Sequence, residues 1–226
     1  MNTEMKEVVT TLLAGRAYVF SLLHKLLGAE PTRELLQAVS SVESLKAVAL
    51  FESGDSDAAE KLGETLLDCR NIDEAQLGLV KDEYTRLFLG PDKLIAPPWE
   101  SCYTAKERAL FQESTLHVRS WYQNYGYAPA EGPNYPDDHI SLMMHFLALT
   151  TERAAACLKD DLLCGYRNLL EGQKLFERNH LLNWLDAYAQ DMEQSAAKRL
   201  YPGLVRAMTA FIRYDQTIID ELLTVQ

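Results

Sequence analysis

Residues 140–150 read ISLMMHFLALT. At the helical period this run is apolar on every side. That is the pattern of a helix buried at the centre of a bundle, because a surface helix keeps one polar face. The stretch before it, GYAPAEGPNYPDD (126–138), is rich in glycine and proline and reads as a connector. Its last residues, Asp137 or Asp138, are placed to cap the apolar helix, since a carboxylate there accepts amide hydrogen bonds and suits the helix dipole.

The rest of the chain repeats the helical theme. Val9, Leu13, Phe20, Leu23 and Leu27 form one stripe, closed by Gly28 and Pro31. A second helix is expected from Thr32 to about Phe51, and a third after Ser53-Gly54-Asp55. Leu77, Val80, Tyr84, Leu87 and Phe88 share a face of the next, which stops at Gly90-Pro91. Thr104 and Glu107 have the spacing of a capping box opening a helix that carries Leu110, Phe111, Val118, Trp121 and Tyr125. Two helices flank Asn179, and a last one carries Leu204, Met208, Phe211, Ile219 and Leu222. There is no alternating strand pattern and no internal repeat. The expected fold is all-α, a single-domain helical bundle of about nine helices over residues 1–226.

Composition narrows the function. Against 22 basic residues stand 33 acidic ones, a net charge of −11, which argues against nucleic acid as a partner because phosphate binding needs a cationic face. The N-terminal MNTEMKEVVTTLLAG is amphipathic rather than basic-then-apolar, and no run approaches the about 20 apolar residues that span a bilayer. The four cysteines form no CxxC pair. These features together point to a cytoplasmic protein without stable membrane insertion.

Enzymatic signatures fail one by one. There is no phosphate loop, no dinucleotide fingerprint and no nucleophile elbow. A di-iron bundle needs two Glu-x-x-His motifs; Glu177-Arg178-Asn179-His180 supplies one, and Asn179 reads as a cap that interrupts it. Glu113 and His117 are spaced as a surface pair. No catalytic residue, metal or cofactor is expected. Met143, Met144, His145, Trp121, Trp184 and Tyr188 read as packing.

Two places ask for more than packing. The connector LFLGPDKLIAPPWESCY (Leu87–Tyr103) sets apolar Leu94-Ile95-Ala96 among prolines and ends on Trp99. It is either a lid tucked into the fold or a surface awaiting an apolar partner. In Asp138-His139, a second consecutive acid and an imidazole exceed what capping requires, although a histidine bonded to nearby backbone would also account for it.

At these places the sequence resembles the TorD/DmsD redox-enzyme maturation chaperones. The resemblance lies in EYTRLFLGPDKLIAPPWESCY (Glu83–Tyr103), FQESTLHVRSWYQNYG (Phe111–Gly126) and NYPDDHISL (Asn134–Leu142), with a weaker echo in NHLLNWLDAY (Asn179–Tyr188) and RLYPGL. It implies an all-helical cytoplasmic chaperone that binds the twin-arginine signal peptide of a molybdopterin-containing reductase, of the dimethyl sulfoxide or trimethylamine oxide type. Such a chaperone holds the apoenzyme for cofactor insertion and prevents premature export. The implied peptide-binding positions are Tyr84, Leu87, Phe88, Pro98, Trp99, Asp138 and His139. Tyr84 stands where some members have tryptophan, and Ser141-Leu142-Met143 replaces a commoner Gly-Leu-Glu. Members exchange helices between protomers, so a monomer or a helix-exchanged homodimer is implied, with a hinge near 126–137. The alternatives are a helical interaction scaffold without signal-peptide specificity and a helical-bundle metal enzyme.

The chemistry of such a peptide, two guanidiniums beside a short apolar stretch, calls for an apolar groove with carboxylates at one end. Trp99 and its prolines would supply rigid contact area. Asp138 would meet an arginine fork bidentately. This requires the Trp99 loop and the Asp138-His139 turn to lie together in space.

Overall fold

The computed structural model describes residues 2–49, 56–90, 93–105, 110, 113–129, 136–195 and 199–225. Among them are eleven α-helices: α1 (Thr3–Gly28), α2 (Arg33–Val39), α3 (Val42–Ala49), α4 (Ser56–Asp68), α5 (Glu74–Tyr84), α6 (Ser101–Thr104), α7 (Glu113–Asn124), α8 (Ile140–Lys159), α9 (Leu163–His180), α10 (Leu185–Gln194) and α11 (Tyr201–Thr224). A short 3-10 turn, Cys69–Asn71, leads towards α5, and a wide π-type turn, Thr85–Leu89, extends it. No strand occurs among the described residues, so the fold class is all-α.

The apolar run of α8 is enclosed as its pattern requires. Ile140, Met143, Met144, Phe146, Leu147, Ala154 and Leu158 are all buried. α1 lies along one side and α9 along another. Two threonines inside this helix satisfy their own hydroxyls, Thr150 donating to the Phe146 carbonyl (2.9 Å) and Thr151 to that of Leu147 (2.7 Å). At the end of α1, a side chain on Gly28 would meet Ser141 Oγ at 2.3 Å, so glycine lets α1 and the start of α8 approach closely.

Local chemistry explains the helix ends. Asn2 and Thr32 cap α1 and α2 by accepting the amides of Met5 (2.8 Å) and Leu35 (3.1 Å). Asp73 and Gln76 form a reciprocal capping box on α5. The expected single helix over 32–51 is instead α2 and α3. Ser40 folds its hydroxyl onto the Leu36 carbonyl (2.9 Å) and Ser41 caps the Ser44 amide (3.2 Å), which ends one helix and begins another. Thr104 closes α6 by donating to the Glu100 carbonyl (3.1 Å) rather than opening a helix, and Glu107 lies outside the described residues. Residues 130–135 of the expected hinge lie outside them too. The broken second helix and the one-turn α6 bring the count above the nine expected.

Two buried carboxylates tie distant segments. Glu83, near the end of α5, accepts the amides of Arg199 (2.8 Å), Leu200 (2.9 Å) and Tyr201 (3.3 Å), placing negative charge at the N-terminus of α11. Asp215 of α11 grips the Arg16 guanidinium of α1 with both oxygens, at 2.6 and 2.5 Å, and both side chains are fully buried. Gln173 of α9 accepts a further bond from Arg16 (3.0 Å). Beside them, burial and then the Asp215 charge push the Glu177 carboxyl well above the usual range, which favours its protonated form.

Asp215→Ala leaves the Arg16 charge buried without its counter-ion, and urea unfolding should show a loss of about 3–5 kcal/mol. The double replacement Arg16→Met with Asp215→Leu should recover most of that loss, because both buried charges are then gone.

Candidate functional site

The Trp99 loop and the turn before α8 are joined by backbone. The Ile140 amide donates to the Pro98 carbonyl (2.9 Å) and the Glu100 amide to the Asp138 carbonyl (3.2 Å), so Trp99 and His139 face each other across an isolated antiparallel bridge. The indole and imidazole meet edge to face, with ring centroids 5.3 Å apart. Pro97 and Pro98 are buried and fix the backbone leading into this bridge.

Side chains reinforce the junction. Asp138 is buried, and its carboxylate accepts the Ser101 amide (2.8 Å) and the Thr115 hydroxyl (2.9 Å). It thereby caps α6 from another part of the chain and links it to α7. The expectation that Asp138 meets an arginine fork directly must be replaced. Both oxygens are committed internally, so the residue positions the Trp99 loop. Asp137 does not cap α8 either: its carboxylate pairs with Arg119 Nε (2.5 Å). The cap is His139, whose Nδ1 accepts the Ser141 amide (3.1 Å) and must therefore be unprotonated. Burial, and to a lesser degree the neighbouring His24, lower the His139 pKa to about 3.

Tyr84, Leu87 and Phe88 sit deeper. All three are buried, and the rings of Tyr84 and Phe88 pack on each other (4.8 Å) and against Tyr201 of α11 (5.8 and 5.1 Å). The structure thus brings Pro98, Trp99, Asp138 and His139 into one junction, while Tyr84, Leu87 and Phe88 belong to the core beneath the preceding segment. The apolar groups open to solvent there are Leu89 (53 %) and Ile95 (55 %), with Leu94 and Trp99 half-buried. Gly90, at a φ of 37°, ends the π-type turn, its amide donating to the Thr85 carbonyl (2.7 Å).

Next to Trp99 a cleft of about 910 Å³ opens between α6, α7 and the α9–α10 turn. Glu100 is buried in its wall, accepting from His180 Nδ1 (3.0 Å) and, at 3.4 Å, from the Asn183 amide. Trp121 lines it as well, packed edge-on to His180 (6.3 Å), and the surface pair Glu113–His117 (3.6 Å) stands at its rim. The sequence reading missed this cleft, because its walls come from positions eighty residues apart. The one available signal is that Glu100 and His180 fall inside PPWES and NHLLNW. α9 runs unbroken through Asn179 to His180, contrary to expectation, but the Glu177 and His180 side chains diverge, the first to Gln216 (2.6 Å) and the second to Glu100. No group of three potential metal ligands occurs among the described residues. Trp184 and Tyr188 are core, as expected.

The model of the nitrate reductase delta subunit family matches residues 50–190. A chaperone protein TorD from Vibrio cholerae serotype O1 is 30 % identical over 224 residues, covering 96 % of this chain and 98 % of the relative. The chain belongs to the TorD/DmsD chaperone family. A Haemophilus influenzae protein named as a Tat proofreading chaperone, DmsD, is 27 % identical over 125 residues, 55 % of this chain and 54 % of its own. Among solved structures, a chain described as a redox enzyme maturation protein from Archaeoglobus fulgidus shares the fold, with a TM-score of 0.50 and 22 % identity, over 88 % of this chain and 93 % of its own. No described helix is long and apolar enough to cross a membrane.

Because folded His139 titrates near 3 and an unfolded histidine near 6.5, only the unfolded chain takes up this proton between those values. Stability is complete above pH 6.5 and falls as the pH is lowered, by about 2 kcal/mol at pH 5 from His139 alone. His24 and His145, whose pKa values burial also lowers, act in the same direction. Because the raised pKa of Glu177 contributes in the opposite direction, the His139 share is read as a difference: urea unfolding at pH 7.5 and pH 5 should show wild type losing more stability than His139→Asn.

Proposed function

We propose that this chain is a cytoplasmic, non-enzymatic maturation chaperone. It binds the twin-arginine signal peptide of a molybdopterin-containing oxidoreductase, holds the apoenzyme for cofactor insertion and delays its export. The observation that carries this reading is the bridge between Trp99 and His139. It joins the two segments that most resemble the family, and apolar Leu94, Ile95 and Trp99 stand open or half-open beside it. A short apolar stretch laid on this surface gains roughly 25 cal/mol for each Å² removed from water, enough over a few hundred Å² for micromolar affinity after ordering costs.

Within this reading the seven positions divide their work. Trp99 forms contact surface, Pro98 fixes the backbone that presents it, and His139 holds the indole edge-on. Asp138 fixes the loop from beneath. Tyr84, Leu87 and Phe88 support the segment that carries Leu89 into it. The working unit is a single domain, as a monomer or a helix-exchanged dimer.

The test is calorimetric titration with a synthetic signal peptide. Trp99→Ala should weaken binding about tenfold or more while shifting the thermal midpoint little; equal loss of both would make the loop a structural lid. Asp138→Asn should lower stability and weaken Arg-Arg and Lys-Lys peptides by the same factor, as a positioning residue does. A loss confined to the Arg-Arg peptide would restore the carboxylate as the arginine reader.

A further inference from the structure

With Asp138 committed inside the fold, the negative pole that an arginine-bearing peptide needs must come from elsewhere. We propose that the cleft beside Trp99 receives an arginine side chain, with Glu100 as the carboxylate that pairs with its guanidinium. This rests on the signal-peptide reading for the source of the arginine, but the site is defined by its own chemistry.

Four features of the cleft select a guanidinium. Among the described residues its lining includes two carboxylates, Glu100 and Glu113, and no lysine or arginine, a balance that favours cations. Glu100 is almost completely buried, with His180 at both oxygens (3.3 and 3.0 Å) and Asn183 at 3.4 Å, but unlike Asp138 it lines the open cleft and its contacts are the longer ones, in a site where water screens it weakly. Trp121 lines the cleft with its ring stacked on Tyr125 (centroids 5.9 Å apart), and an indole is a surface against which a planar guanidinium packs better than a compact ammonium. Finally, the cleft lining holds further acceptors. The Ser114 hydroxyl is buried with no partner among the described residues, and Asn183 uses its amide nitrogen on Glu100 and the Asn179 carbonyl, keeping its oxygen for a ligand. A guanidinium carries five donors in one plane and can use several of these at once. Since Glu100 follows Trp99 directly, an arginine in the cleft leaves the adjoining apolar residues of the same peptide next to the indole.

The three tryptophans give separate reporters: Trp121 in the cleft, Trp99 at the bridge and Trp184 in the core, where its indole N–H donates to the His180 carbonyl (2.7 Å). Titration of ¹⁵N-labelled protein with acetyl-Arg-Arg-amide should move the Trp121 indole signal saturably and further than that of Trp184, and need about tenfold more acetyl-Lys-Lys-amide for the same effect. Glu100→Gln should weaken the Arg-Arg probe at least tenfold and abolish its advantage over Lys-Lys, with an unfolding midpoint within a few degrees of wild type. If that variant does not fold, Trp121→Leu, followed by calorimetry, should lose the same preference. The proposal is overturned if Trp121 does not respond, if all three indoles shift alike, or if the variant that folds keeps the wild-type preference. A dipeptide that binds in the cleft while the whole signal peptide fails to bind would uphold this site and refute the chaperone reading. A signal peptide that binds without disturbing Trp121 would do the reverse.

Discussion

A helical run without a polar face cannot lie at the surface, and the first half of α8 imposes that condition on everything around it. Its apolar side chains are covered because α1 and α9 run along it. Enclosure fixes the position of its first turn, and with it His139. The Trp99 loop is then held against that turn by two backbone hydrogen bonds and the Asp138 carboxylate. The candidate site is thus built at the end of the most constrained element in the chain, which is what a preorganised binding surface needs.

The acidity of the chain has an interior share. Glu83 gathers the amides that open α11, Asp215 holds Arg16, Asp138 caps α6 from across the fold, and Glu100 receives His180. All four are buried. Each joins segments far apart in sequence, and each would be costly to leave unmatched, so these carboxylates restrict which packings of a helical chain are acceptable. The net charge, read as a surface property, conceals this.

The all-helical class and the enclosed middle helix were legible because periodicity is a local signal. So were the end of α1 near Gly28 and the core positions Leu77, Val80, Tyr84, Leu87 and Phe88. The break at Ser40-Ser41 was not, since it depends on hydroxyls choosing backbone partners over helix continuation. Asp137 and Asp138 looked like the better caps for α8 by residue type, yet His139 took that role because both acids found stronger partners in α6 and α7. The resemblance drew attention to two segments that the fold brings together. It could not assign roles within them, and it carried no information on the cleft, whose carboxylate, imidazole and indole meet only when α6, α7 and α9 are assembled.

Gly28 shows how far the site's dependence extends. It lies at the far end of the first helix, against the residue two places beyond His139, and it has no room for even a methyl group. Adding one there would push the Ser141 hydroxyl off the His24 carbonyl (3.0 Å) and imidazole (2.9 Å), the contacts that tie the opening turn of α8 to α1. An innocuous-looking change on the N-terminal helix would in this way be felt beside the Trp99–His139 bridge, which Gly28 itself never touches.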